Sequence, residues 1–105
     1  MKTGSILLAC LSVVAFGMAK GKGDAAKGKV VFQQCAMCHR GDSAEKKIGP
    51  GLKGLFRKDR LLNGKRPTEQ NVRAKVDEGG NGMPPYKDML SEQEKDDLLA
   101  YLKTL

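Results

Sequence analysis

Cys35-Ala36-Met37-Cys38-His39 is the stretch whose reading decides the fold. Two cysteines with two residues between them, followed at once by histidine, form the attachment signature of a c-type haem. The spacing has a chemical reason. Each thiol adds to one vinyl group of the porphyrin, and two intervening residues let one turn of chain reach both. The next residue then lies beneath the ring with its imidazole aimed at the iron, a role that haem histidines take.

Competing readings of this run fail on counting. A structural zinc site needs about four Cys, His or carboxylate ligands, and the chain has three cysteines and one histidine, with Cys10 far upstream. A thioredoxin-like redox pair belongs beside a βαβ pattern, and no alternating strands can be read here. A disulfide between Cys35 and Cys38 would close a very tight loop and leave His39 without a purpose.

Upstream, residues 1–19 have the layout of an export signal. Lys2 gives a positive start, Ile6 to Phe16 an apolar run, and Gly17-Met18-Ala19 a small-x-small site, with cleavage expected before Lys20. A spanning helix needs about 20 apolar residues, so a retained anchor is the weaker reading. Leu7-Leu8-Ala9-Cys10 faintly resembles a lipoprotein box, but too little apolar chain precedes Cys10 and too much follows it. The expected mature chain, residues 20–105, is a single small domain of 86 residues. Domains of this size usually need a staple such as a metal or crosslink. A covalently held porphyrin would be both crosslink and core, which suits a chain with no Trp and only five aromatic residues, three Phe and two Tyr.

The fold class expected is all-α, with three to four helices packed around the haem. Asp24 is a good N-cap for a first helix reaching Cys35, with Val31, Phe32 and Cys35 on one face. Gly28 interrupts it at a cost of ~1 kcal/mol relative to Ala, either tolerated or required by close packing of another backbone. Thr68 to Glu78 predicts a shorter helix with Val72 and Val76 inward, ended by Gly79-Gly80. The last helix starts at Ser91, whose pairing with Glu94 makes a capping box. Leu98, Tyr101, Leu102 and Leu105 then share a face. Gly49-Pro50-Gly51 and Gly54 mark a turn-rich stretch after the attachment run.

A six-coordinate iron needs a second ligand, and His39 is the only histidine. Among the methionines, Met18 falls in the signal, and Met37 lies inside the attachment loop and cannot reach round the ring. Met83 sits in Gly79-Gly80-Asn81-Gly82-Met83-Pro84-Pro85-Tyr86, where glycines let the backbone approach the ring and prolines stiffen it. Met89, just before the last helix, is expected to fill the core. Met83 is therefore the candidate sixth ligand.

With these residues in view, the chain resembles the small monohaem class I cytochromes c over nearly all of residues 20–105. Gly28 and Phe32 stand where that family has the Gly and aromatic of its first helix. Cys35, Cys38 and His39 match the attachment motif, and Gly82-Met83-Pro84 the distal loop. Ile48 to Phe56 resembles the stretch in which a proline carbonyl, here that of Pro50, receives the imidazole N–H. Leu98-Leu99-Ala100-Tyr101-Leu102 resembles the last helix, which the family packs across the first near the Gly and Tyr. The mitochondrial members' Trp that bonds a propionate is missing, leaving Arg57, Arg60 and Tyr86 as candidates for that contact. The resemblance implies haem fitting outside the bacterial cytoplasm, hence a periplasmic protein.

Charge divides the chain. Residues 20–66 carry 13 basic and 4 acidic residues, residues 67–105 carry 5 and 8. Such a dipole can orient a protein approaching an acidic partner, and Lys46, Lys47, Lys53 and Lys87 flank the two ligand segments. Nucleic acid is not an expected partner, because no recognition motif accompanies the charge. The function expected is one-electron transfer by a monomer that meets acidic redox proteins transiently, not enzymatic, with no membrane insertion of the mature chain. The alternatives are a fixed haem subunit of a dehydrogenase or oxidase complex, and a haem sensor or enzyme with a labile sixth ligand.

Overall fold

The computed structural model describes residues 23–105; the expected signal at 1–19, with Cys10, lies outside them. Three α-helices, α1 (Ala25–Phe32), α2 (Glu69–Glu78) and α3 (Glu92–Leu102), are joined by long irregular segments, the first of which contains one 3-10 turn, Leu55–Arg57. Among the described residues there is no strand beyond an isolated bridge between Gly80 and Met83. None of their helices is long and apolar enough to cross a membrane.

Each helix begins where local chemistry says it should. The Asp24 side chain accepts from the Ala26 and Lys27 amides, Thr68 from Asn71, and Ser91 with Glu94 forms the full reciprocal box. α2 ends at Gly79, whose φ of 64° no β-branched residue would adopt readily. α1 stops three residues earlier than its apolar pattern predicts. Beyond Phe32 the chain tightens into turns closed by Cys35 N–H to Phe32 O (2.7 Å) and Cys38 N–H to Cys35 O (3.1 Å). A helix end that tightens in this way satisfies carbonyls that would otherwise lack partners.

α1 and α3 cross with their backbones nearly touching. A Cβ added to Gly28 would run into the Asp97 carbonyl and lie 2.7 Å from Tyr101 Cβ. Gly28 is thus required by close packing. Beside it, Phe32 and Tyr101 pack with ring centroids 5.3 Å apart, tilted by 54°, and the Asp24 amide donates to buried Asp97 (2.8 Å). The core runs from this crossing through Leu55, Val72, Val76, Tyr86, Leu90, Leu98, Leu99 and Leu102. Cys35, Leu52, Phe56, Leu61 and Met83 lie half-buried against it. Met89 corrects an expectation: it is 61% exposed, and its neighbour Leu90 is the buried residue. The turn that sends both Met89 N–H and Leu90 N–H to the Tyr86 carbonyl (3.0 and 3.2 Å) rotates Leu90 inward instead.

Candidate functional site

The turns after α1 carry the two cysteines and the histidine on adjacent corners. His39 N–H donates to Cys35 O (2.9 Å), so the motif folds back on itself before the chain turns away. Cys35 and Cys38 are free thiols, both half-buried. Burial, and secondarily the neighbouring Cys38, pushes the Cys35 thiol up to about 11. A redox-active pair requires the opposite, a lowered thiol that ionises readily. Among the described residues no three His, Cys, Asp or Glu side chains gather as a metal site.

His39 is held with one nitrogen committed. Its Nδ1 lies 2.8 Å from the Pro50 carbonyl oxygen. A carbonyl can only accept, so Nδ1 carries the proton and Nε2 keeps the lone pair that a metal can use. The partner stretch is itself pinned to the motif: Gly49 N–H donates to Cys38 O (2.6 Å) and Leu52 N–H to Arg40 O (2.8 Å). Gly49 is a site residue that the sequence shows only as part of a turn. A Cβ there would stand 2.6 Å from His39 Cε1, so only glycine lets the chain lie flat against the imidazole.

Met83 approaches from the segment between α2 and α3. Gly80 N–H bonds Met83 O (2.9 Å) and Met83 N–H bonds Gly80 O (3.1 Å), closing a tight turn of four positive-φ residues, Gly79 to Gly82. At Gly79 a Cβ would also collide with the Met83 carbonyl. The thioether of Met83 packs half-buried against the core. The three candidates for the propionate contact stand in different surroundings. Tyr86 is buried, and its phenol is raised above its ordinary range by burial and by the nearby cysteine thiols, whereas Arg57 and Arg60 stand exposed.

These residues fit a c-type haem: two unpaired thiols on one turn, an imidazole with its far nitrogen free, and a thioether, of which Cys35 and Met83 lie half-buried against the apolar core. The class defined by this fold and site is a small helical domain for a covalently held porphyrin. The family model for cytochrome c matches residues 25–105, and the chain belongs to the cytochrome c family. It is 38% identical to a cytochrome c-553-like protein of Synechocystis over 80% of this chain and 71% of that one. It is 35% identical to cytochrome c2 of Blastochloris viridis, covering 76% of each. Cytochrome c6 from the diatom Phaeodactylum tricornutum superposes with a TM-score of 0.62 at 33% identity, over 78% of this chain and 93% of that structure. The chain is an electron carrier with one covalent c-type haem, and not an enzyme.

Proposed function

We propose that Cys35 and Cys38 form the thioether bonds, that His39 Nε2 and the Met83 sulfur bind the iron, and that Pro50 orients His39. The observation that supports this reading is the 2.8 Å contact of His39 Nδ1 with Pro50 O, which commits Nδ1 as a donor and leaves Nε2 with a lone pair that iron could use. The bound haem supplies an Fe(III)/Fe(II) couple. A thioether opposite an imidazole raises its potential by favouring Fe(II). With His39 and Met83 both holding the iron, a substrate would have no open position there, and transfer to a partner would be outer-sphere.

The donor and acceptor are larger exported or membrane redox proteins with acidic docking faces, met transiently by a monomer in the periplasm, after removal of residues 1–19. Unpaired cations support this. All five ion pairs among the described residues lie within 69–103, so no Lys or Arg of residues 23–66 is neutralised by one. Carbon monoxide binding to the ferrous protein at neutral pH tests the axial assignment. Wild type stays closed to it, Met83→Ala binds it readily and has a lower potential, and Met89→Ala behaves as wild type. Ready binding by the wild type would replace the closed carrier by a sensor or enzyme.

A further inference from the structure

α3 turns one charged side chain inward beneath the segment that carries Met83. Lys95 is 3% exposed, its stem covered, while its partner Glu92 stands in solvent at 78%. The ammonium meets three oxygens from three places. Asp77 Oδ1 near the end of α2 lies at 2.8 Å, the Lys87 carbonyl of the Met83 segment at 3.0 Å, and Glu92 Oε2 at 3.2 Å. Asp77 Oδ1 is buried and meets no donor other than this ammonium.

The bonds that shape the segment differ in what they hold. Those between Gly80 and Met83 are internal and travel with it. At the entry Gly79 N–H donates to Lys75 O (2.8 Å) and Gly79 O accepts from Lys75 Nζ (3.0 Å), and at the exit Tyr86 N–H donates to Val76 O (2.9 Å) and Lys87 N–H to Asp77 O (3.2 Å). All are bonds to α2 alone. Lys95 ties the same exit to α3 and neutralises the carboxylate beneath it. Without the ammonium, a buried carboxylate oxygen and a carbonyl lose their donor and must find water. The layer that has to lift to admit that water is the segment itself.

We propose that Lys95 is a positioning residue for Met83: its clamp on Lys87 O and Asp77 sets how often the segment lifts, and so how long the thioether stays on the iron. This rests on Met83 being the sixth ligand. The experiment follows imidazole binding to the ferric holoprotein at saturating imidazole, where the rate is limited by departure of Met83. Lys95→Met should raise that limiting rate by ~10-fold, as expected for an opening governed by local rather than global stability. Lys95→Arg should restore it, and Asp77→Asn, which leaves Lys95 in place, serves if Lys95→Met fails to fold and should also accelerate binding. Asp97→Ala is the comparison for general loosening, since Asp97 is buried and ties α1 to α3 without touching the segment. A Lys95→Met rate equal to wild type, or an Asp97→Ala variant of matched stability that accelerates equally, overturns the inference. Met83→Ala reports on the underlying reading separately: if it binds imidazole no faster than wild type, Met83 is not the ligand, whatever Lys95 does.

Discussion

Residues 23–66 hold His39 with backbone bonds and have none of their cations in an ion pair, while residues 67–105 hold Met83 between two helices and contain all five ion pairs found among the described residues. On the first side the imidazole is fixed by the Pro50 carbonyl and the flat approach of Gly49, with the 3-10 turn at Leu55–Arg57 as regular structure after α1. On the second, α2 and α3 are bridged by Arg73 to Glu92 and Asp96 (2.5 and 2.7 Å), by Lys95 to Asp77, and by Lys103 to Glu69. The irregular half needs a crosslink to be rigid, and its lysines remain available to a partner. The helical half engages Arg73, Lys95 and Lys103 in pairs between its own helices.

Deleting the crosslink should break this comparison most severely. Cys35→Ala or Cys38→Ala should weaken or abolish covalent retention, read as haem released by acid–acetone extraction and a pyridine haemochrome spectrum no longer of pure c type. The irregular half should lose structure before the helical half, because its apolar side chains then lack the body they pack against. Haem held as firmly as in wild type in both variants would refute the attachment.

Next comes the seam that joins the halves. Gly28→Leu places a side chain where the Asp97 carbonyl and Tyr101 already lie, and overpacking of this kind costs about 1–3 kcal/mol or more. Denaturant unfolding of the holoprotein measures it, and a loss of less than about 0.5 kcal/mol would mean that the helices separate at no cost.

Smallest are the surface charges. Reversal of Lys46, Lys47, Lys53 or Lys87 to Glu should each slow electron transfer to an acidic partner by a few-fold, about 1 kcal/mol or less apiece, with the potential unchanged. The effect should fade as salt shortens the screening length toward ~8 Å. Lys103→Glu sharpens the contrast: its ammonium is engaged with Glu69 on α2, and an exposed pair of this kind contributes under about 1 kcal/mol to stability and nothing to docking. Equal rates for all five reversals would make Lys46, Lys47, Lys53 and Lys87 a solvated surface only.

What could be read from the chain follows the range of the interactions involved. The caps at Asp24, Thr68 and Ser91 and the stop at Gly79 involve neighbours within four residues, and each is where the residue types put it. The Pro50 contact to His39 came from the family resemblance, since eleven residues of irregular chain intervene and nothing local dictates it. Gly28 could be read either way until its partner backbone, some seventy residues on, was in place. Gly49 was hidden for the same reason: its constraint comes from a ring, not from its own turn. Lys95 left a usable sign, because Lys95, Leu98, Leu99 and Leu102 share one helical stripe, yet a lysine there reads as solvated until three oxygens converge on it. Met89 stands outside the core and Leu90 inside it because a single residue of rotation in a turn decides which side chain enters.

The crossing of α1 with α3 also governs when this protein can form. The Asp24 amide finds its acceptor 73 residues downstream, so almost the entire described chain must be present before the first helix has anything to pack against. Loop-closure entropy on that scale is met before any contact repays it. A growing chain therefore exposes Phe32, Cys35 and Cys38 until α3 arrives. Any stop upstream of Ser91 would yield a first helix without a partner, and haem insertion would have to act on a chain that has not yet folded.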